Sequence, residues 1–84
     1  MNKIELKREL NDLGINPEDY SLDGTLKPMA TILEFSNSKW YTFDYDERGR
    51  IQDKEVFNTE DQACRHILDR LIQLKEFRER YNIK

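Results

Sequence analysis

The chain has 84 residues, of which 37% are charged and 37% are hydrophobic, and its formal net charge is −3. This length is enough for one domain, residues 1–84, and too short for two. Because 11% of the residues are aromatic and the apolar residues are periodically spaced, the composition excludes an intrinsically disordered chain. Apolar runs of ~20 residues, as in membrane-spanning helices, do not occur, so we expect no membrane contact.

The charge is unevenly distributed along the chain. Residues 1–62 carry 8 basic and 14 acidic side chains, a net charge of −6, whereas residues 63–84 carry 6 basic and 3 acidic side chains. Nucleic-acid binding needs a concentrated cationic surface, so this acidic body argues against a nucleic-acid partner. It favours a protein partner with a basic surface, because opposite charge speeds the encounter.

The cysteine content and the first residues indicate the cellular compartment. Cys64 is the only cysteine, so an intrachain disulfide is impossible, which is typical of the reducing cytosol. Residues 1–5 lack the apolar segment of a signal peptide. We therefore expect a soluble cytoplasmic protein.

In chain order, the first predicted element is a helix over residues 3–13. One face of this helix carries three leucines at i, i+4 and i+7, namely Leu6, Leu10 and Leu13. Gly14 is suited to the left-handed conformation that ends a helix, and Ile15 can pack back on Leu10 as in a Schellman motif. The connector that follows, 16–27, includes Tyr20–Leu22, which can add a short edge strand.

Three strands are predicted next, rich in β-branched and aromatic residues, over 29–36, 39–45 and 50–56. Asn37-Ser38 predicts a two-residue hairpin turn between the first two strands. Glu47-Arg48-Gly49 predicts a three-residue turn between the last two, with Gly49 left-handed. The first turn fixes a register with three opposed pairs: Phe35 with Trp40, Leu33 with Thr42, and Ile32 with Phe43.

Alternation of side chains gives this sheet two faces, and both are partly apolar. One face carries Ile32, Phe43, Tyr45 and Ile51. The other carries Leu33, Phe35, Trp40, Thr42 and Val56. We expect the first face to pack against the helices and the second to be lightly covered or used for binding.

A longer helix is predicted from a capping box, Thr59 to Gln62, to about Arg80. Its core stripe comprises Ala63, Ile67, Leu71 and Leu74, broadened by Cys64, Leu68 and Phe77. The order α-β-β-β-α predicts an α+β domain. In it, an antiparallel meander of about three strands packs with an N-terminal helix and a longer C-terminal helix.

Cys64 and His66 are the side chains that an enzyme would use most readily. Cys64 lies near a helix N-terminus, where the pKa of a thiol falls, but the acidic first turn opposes a thiolate, so a buried cysteine is favoured. His66 lacks convergent catalytic partners, and Asp69 and Arg70 predict a helix-surface ion pair instead. Because catalytic, zinc and nucleotide motifs are also missing from the sequence, we expect no enzyme, no cofactor and no metal.

Six residues are candidates for contact with a partner. Four are carboxylates on the second hairpin: Asp44, Asp46, Glu47 and Asp53. They form an acidic surface suited to a basic partner, although interleaved arginines leave an ordinary solvated hairpin as the alternative. Trp40 and Tyr41 are aromatic residues of the type enriched at interfaces, and core packing is the alternative for each.

Five short segments carry a family resemblance through their order and spacing. They are Leu13–Ile15, Tyr20–Gly24, Lys39–Tyr41, Asp46–Gly49 and Phe57–Cys64. Over about residues 4–74, the chain resembles a family of small bacterial immunity proteins from polymorphic toxin systems. The resemblance implies a cytoplasmic protein that binds a cognate toxin domain tightly and blocks it, without catalysis or cofactor. Such toxins are often nucleases with basic clefts, which the acidic body would suit.

Two other functions stay open. One is a general protein-interaction module or a small homo-oligomeric structural protein without a toxin partner. The other is a small enzyme or ligand-binding domain that uses Cys64, His66 and the carboxylates.

Overall fold

A computed structural model describes residues 1–81. In chain order they form α1 (Lys3–Asp12), a 3₁₀ turn (Pro17–Asp19), β1 (Tyr20–Ser21), β2 (Ala30–Ser36), β3 (Lys39–Tyr45), β4 (Ile51–Phe57) and α2 (Glu60–Tyr81). The strands make one sheet in the order β1-β2-β3-β4. Strands β2 to β4 are antiparallel, whereas β1 runs parallel to β2. The predicted α+β class is confirmed, and the meander gains a short parallel strand at its edge.

The end of α1 has the predicted Schellman geometry. Gly14 is left-handed, with φ of +75°, and the Ile15 N–H donates to the Leu10 carbonyl at 3.0 Å. Leu6 and Leu10 are buried, but Leu13 is 38% exposed. The apolar stripe of α1 therefore ends one turn earlier than predicted, because Leu13 is already the C-cap.

Both hairpin turns are confirmed. Asn37 and Ser38 have φ of +52° and +63°, as a two-residue turn with two left-handed residues requires. Gly49 has φ of +81° in the second turn. The predicted opposed pairs, Phe35 with Trp40, Leu33 with Thr42 and Ile32 with Phe43, are all present.

The helices cover the sheet face opposite to the one that the sequence favoured. Leu33 lies in one buried cluster with residues of both helices: Leu6, Leu10, Ala63, Cys64, Ile67 and Leu71. Ile32 and Phe43 belong to a separate cluster, against which Tyr41 and Tyr45 pack. The expectation that the Ile32, Phe43 and Tyr45 face packs against the helices is therefore wrong.

We call the sheet face that the helices do not cover the open face. Its apolar residues are Ala30, Ile32, Tyr41, Phe43, Tyr45, Ile51 and Val56. Its centre is shielded by neighbouring side chains, since Ala30, Ile32 and Phe43 are buried, whereas Ile51 and Val56 on β4 are exposed. The Lys54 ammonium lies 4.8 Å from the Tyr41 ring centroid and 5.5 Å from that of Phe43. A lysine stem and tyrosine rings can cover apolar surface while their polar ends reach water. Large aromatic residues are therefore a poor guide to which face a helix covers.

A β-bulge in β4 changes which face its residues occupy. Thr42 pairs with Glu55 and Asp44 with Gln52, so β4 holds one extra residue between these pairs. Asp53 lies at the bulge with φ of +55°. Since an extra residue reverses the alternation, Val56 lies opposite Tyr41 on the open face. Its predicted place beside Leu33 is wrong.

The second helix is longer than the sheet that it covers. Its 22 residues span about 33 Å, whereas a strand of seven residues spans about 24 Å. Ile67 and Leu71 of α2 are buried between the helix and the sheet, but Phe77 of the same helix is 60% exposed. The prediction that Phe77 broadens the core is wrong, because Phe77 lies outside the main cluster that α2 forms with the sheet and α1.

Replacement of Leu71 by alanine should lower the free energy of unfolding by about 2–5 kcal/mol, because Leu71 is only 2% exposed within the main cluster. Phe77→Ala is the matched control on the same helix, and its cost should stay below about 1 kcal/mol. Urea unfolding measures both values. Equal costs for the two variants would contradict the assigned end of the core.

Candidate functional site

The structure separates the two predicted aromatic contact residues. Trp40 is half-buried on the helix side of the sheet and stacks on Phe35, with ring centroids 4.6 Å apart. Tyr41 is half-buried on the open face beneath Lys54. Asp46 lies six residues further along, roughly 20 Å from Trp40. The six predicted contact residues therefore do not form one compact surface.

A groove lies between the β3–β4 turn and the C-terminal half of α2. We call it the hairpin groove; its volume is about 760 Å³. The apolar side chains that line the groove include Ile15, Ala30, Leu71 and Leu74. The charged side chains that line it include Asp19, Asp44, Asp46, Glu47, Arg48, Arg70 and Arg78. Three of the four predicted carboxylates line this groove.

An ion pair between Asp44 and Arg70 connects the sheet to α2 beside the groove. The Arg70 guanidinium donates to the Asp44 carboxylate and also to Asp53 Oδ2, at 3.4 Å. The buried Thr31 hydroxyl donates to Asp44 Oδ1 at 3.0 Å. Asp44 and Asp53 are thus engaged within the fold, and Arg70 holds them on the same side of the sheet.

Asp46 organises the β3–β4 turn. Its carboxylate accepts hydrogen bonds from the backbone N–H groups of Arg48 and Arg50, at 2.9 and 2.8 Å, and from Gln52 Nε2 at 3.2 Å. The bond from the Arg50 backbone is the main cause that holds the pKa of Asp46 below its ordinary value of 3.8. Glu47, by contrast, is exposed at the tip of the turn. Asp46 therefore supports the turn, and Glu47 is the carboxylate presented to solvent.

A smaller recess lies on the other side of the Asp44–Arg70 pair, between β3, β4 and α2. We call it the acidic recess; its volume is about 210 Å³, and it is lined by Thr42, Asp44, Asp53, Glu55, His66 and Arg70. Thr42 is 2% exposed. Its Oγ1 is buried without a hydrogen-bond partner within residues 1–81. A buried hydroxyl of this kind ordinarily has a partner.

The structure places Cys64 and His66 in packing roles. Cys64 is buried in the main cluster, and this burial, with the nearby Glu60 charge, raises the pKa of its thiol to about 11. The His66 ring stacks on Phe57, with centroids 5.1 Å apart. The predicted helix-surface ion pair at His66 is not formed within residues 1–81, because Asp69 accepts a hydrogen bond from Gln73 Nε2 at 3.0 Å and Arg70 pairs with Asp44. Across residues 1–81, His, Cys, Asp and Glu form no group of three placed to hold a metal ion.

Two important members of the site, Thr42 and Arg70, were missed as functional residues. The predicted register already placed Thr42 opposite Leu33, but the pattern gave no sign that its hydroxyl would be left unpaired. Arg70 precedes the core residue Leu71, so it lies at the edge of the stripe of α2. Its pairing with Asp44, 26 positions away, depends on how α2 lies across the sheet.

Thr42→Val should raise the free energy of unfolding by about 1 kcal/mol, because it removes an unpaired buried hydroxyl and keeps the side-chain shape. Urea unfolding of the two proteins measures the difference. A loss of about 1 kcal/mol instead would mean that the hydroxyl has a partner, such as water in the acidic recess.

Asp46→Asn should weaken the acid sensitivity of the fold. Since folding lowers the pKa of Asp46, its contribution to stability is present above the ordinary value of 3.8 and is lost as the pH falls through the lowered pKa. Unfolding midpoints measured from pH 6 down to pH 2 should therefore fall less steeply in the variant. Glu47→Gln removes a neighbouring exposed charge and should keep the wild-type slope. An unchanged slope in Asp46→Asn would contradict the assignment.

Comparison with known proteins identifies no relative. The chain matches no family model, no curated protein and no solved structure. The resemblance to immunity proteins accordingly stays a prediction, and the functional argument proceeds from the geometry of the hairpin groove and the acidic recess.

Proposed function

We propose that this protein is an immunity-type inhibitor that binds a toxin domain through the hairpin groove and the stripe of α2 that leads out of it. The observation that carries the proposal is the continuity of that stripe. Leu71 and Leu74 lie in the groove, and Phe77 and Tyr81 continue the same face of α2. These two aromatic residues are 60% and 59% exposed.

The composition of this surface favours a protein partner. Its centre is apolar and its rim is charged, with Glu47 and Arg48 on the hairpin side and Arg78 on the helix side. Protein interfaces combine an apolar centre with a polar rim in this way. Phe77 and Tyr81 stack with centroids 4.7 Å apart, and exposed aromatic residues are the type that dominates binding energy.

The extent of the surface also favours a protein over a small molecule. The groove volume of about 760 Å³ lies within the range of small-molecule sites. However, the apolar stripe continues from Leu74 to Tyr81, about 10 Å further along the helix axis. A small molecule that fills the groove would leave this extension uncovered, whereas a protein partner would cover both.

The nature of the partner is proposed from the charge of the chain and from its resemblance to immunity proteins. Residues 1–62 have a net charge of −6, which steers a basic partner towards the molecule. The resemblance to immunity proteins implies that this partner is a toxin domain and that the protein acts in the cytoplasm. A nuclease with a basic cleft meets both requirements.

The second candidate is a homo-oligomer that uses the open face. Ile51 and Val56 are 48% and 54% exposed there, beside the half-buried Tyr41 and Tyr45. Two copies packed through this face would bury these side chains. The solution mass, measured by light scattering, distinguishes a dimer from the monomer that the first proposal expects.

The proposal predicts a toxin gene adjacent to the gene of this protein, and it is tested by coexpression of the two products, with rescue of cell growth and affinity as measurements. Phe77→Gln should weaken the complex more than tenfold, because it removes an exposed aromatic contact. Val56→Gln is the matched control, because its exposure is similar but it lies on the open face. It should leave the affinity within about twofold of the wild type.

Two results would contradict the proposal. A stable homodimer that neither binds the toxin domain nor restores growth would favour the second candidate. A complex weakened by Val56→Gln and unaffected by Phe77→Gln would move the binding surface to the open face.

A further inference from the structure

We propose that the acidic recess accepts the cationic end of a lysine or arginine side chain from the partner. This inference deepens the proposed function and rests on it only for the source of the cation. Three carboxylates line the recess, Asp44, Asp53 and Glu55. Arg70 is the only arginine or lysine among the described residues that line it, so three carboxylates face one guanidinium.

The β-bulge produces this imbalance of charge. The extra residue in β4 brings Asp53 to the helix side, where Arg70 reaches it at 3.4 Å, together with Glu55, which pairs with Thr42. Lys54 instead extends over the rings of the open face. Without the bulge, the register set by the Tyr45–Ile51 pair would place Lys54 opposite Thr42 on the helix side, and Asp53 and Glu55 on the open face. The bulge thus sets which side chains border the recess.

Two groups at the recess have hydrogen-bonding capacity that the described residues leave unused. Glu55 is exposed, and within residues 1–81 the ion pairs at the recess join Arg70 to Asp44 and Asp53 and do not include Glu55. Thr42 Oγ1 is buried and unpartnered in the same part of the chain, so its lone pairs are free to accept. An ammonium or guanidinium group is a donor without acceptor capacity, and it therefore complements both groups.

The size and position of the recess fit a side chain from a docked partner. Its volume of about 210 Å³ leaves room for the end of a side chain. Thr31, Asp44 and Arg70 line both this recess and the hairpin groove. A partner seated in the groove therefore lies next to the recess, and one of its basic residues can enter from there.

The first test uses a probe that does not require the partner. Nα-acetyl-arginine amide is titrated into the full chain and followed by two-dimensional NMR, with the neutral Nα-acetyl-citrulline amide as the matched compound. We expect saturable shifts centred on Thr42, Glu55 and His66 with the arginine compound, and several-fold smaller shifts with citrulline. Equal shifts with both compounds, or none, would mean that the recess holds water only and would overturn the proposal.

Two variants sharpen this test. Glu55→Gln should raise the dissociation constant of the arginine compound about three- to fivefold, the range of an exposed ion pair. Glu47→Gln removes the same charge at the tip of the turn, outside the recess, and should leave that constant unchanged. Both side chains are exposed, so the fold should tolerate either change. Equal effects of the two variants would indicate general charge attraction and would overturn the proposal.

The final test uses the toxin complex and separates this inference from the proposed function. Glu55→Gln should weaken the complex by the same three- to fivefold. Glu9→Gln is the control here, because it removes an exposed charge on α1 that lines neither the hairpin groove nor the acidic recess. A tight complex that is insensitive to Glu55→Gln would overturn the recess inference and leave the proposed function standing. Specific binding of the arginine compound without any toxin complex would overturn the proposed function, and with it the partner as the source of the cation.

Discussion

The packing of α2 against one face of the sheet is the interaction on which the rest of the structure depends. Leu33 on the sheet meets Ile67 and Leu71 on the helix in one buried cluster, to which α1 adds Leu6 and Leu10. A sheet has two faces, and in a chain of 84 residues the helices cover one of them. The choice of face decides which side chains of β3 and β4 lie beneath a helix and which remain accessible.

The site follows from this choice because it lies where α2 crosses the end of the second hairpin. Asp44 is on the covered side, so Arg70 can reach it from the helix. The pair separates two concave surfaces of different character. The hairpin groove has an apolar floor formed partly by α2, whereas the acidic recess is bordered by carboxylates and an unpaired threonine hydroxyl.

Features that depend on neighbouring residues could be predicted from the sequence. The left-handed Gly14 and Gly49 and the turn at Asn37-Ser38 were all identified from local backbone preferences, and the hairpin register followed from the turn length. The two helices and three of the strands were likewise placed within a few residues of their ends. Of the candidate site, only the carboxylates of the second hairpin were found in advance, because their clustering is visible along the chain.

The sequence by itself determined the α+β order, the turns and the pairing of neighbouring strands, because these are settled by contacts between residues close in the chain. Only the tertiary structure decided which face α2 covers, since both faces carry apolar side chains and alternation does not rank them. It also decided where the bulge at Asp53 falls and that Arg70 pairs with Asp44. Both outcomes depend on how distant segments fit together in space, and a pattern read along the chain contains no measure of that fit.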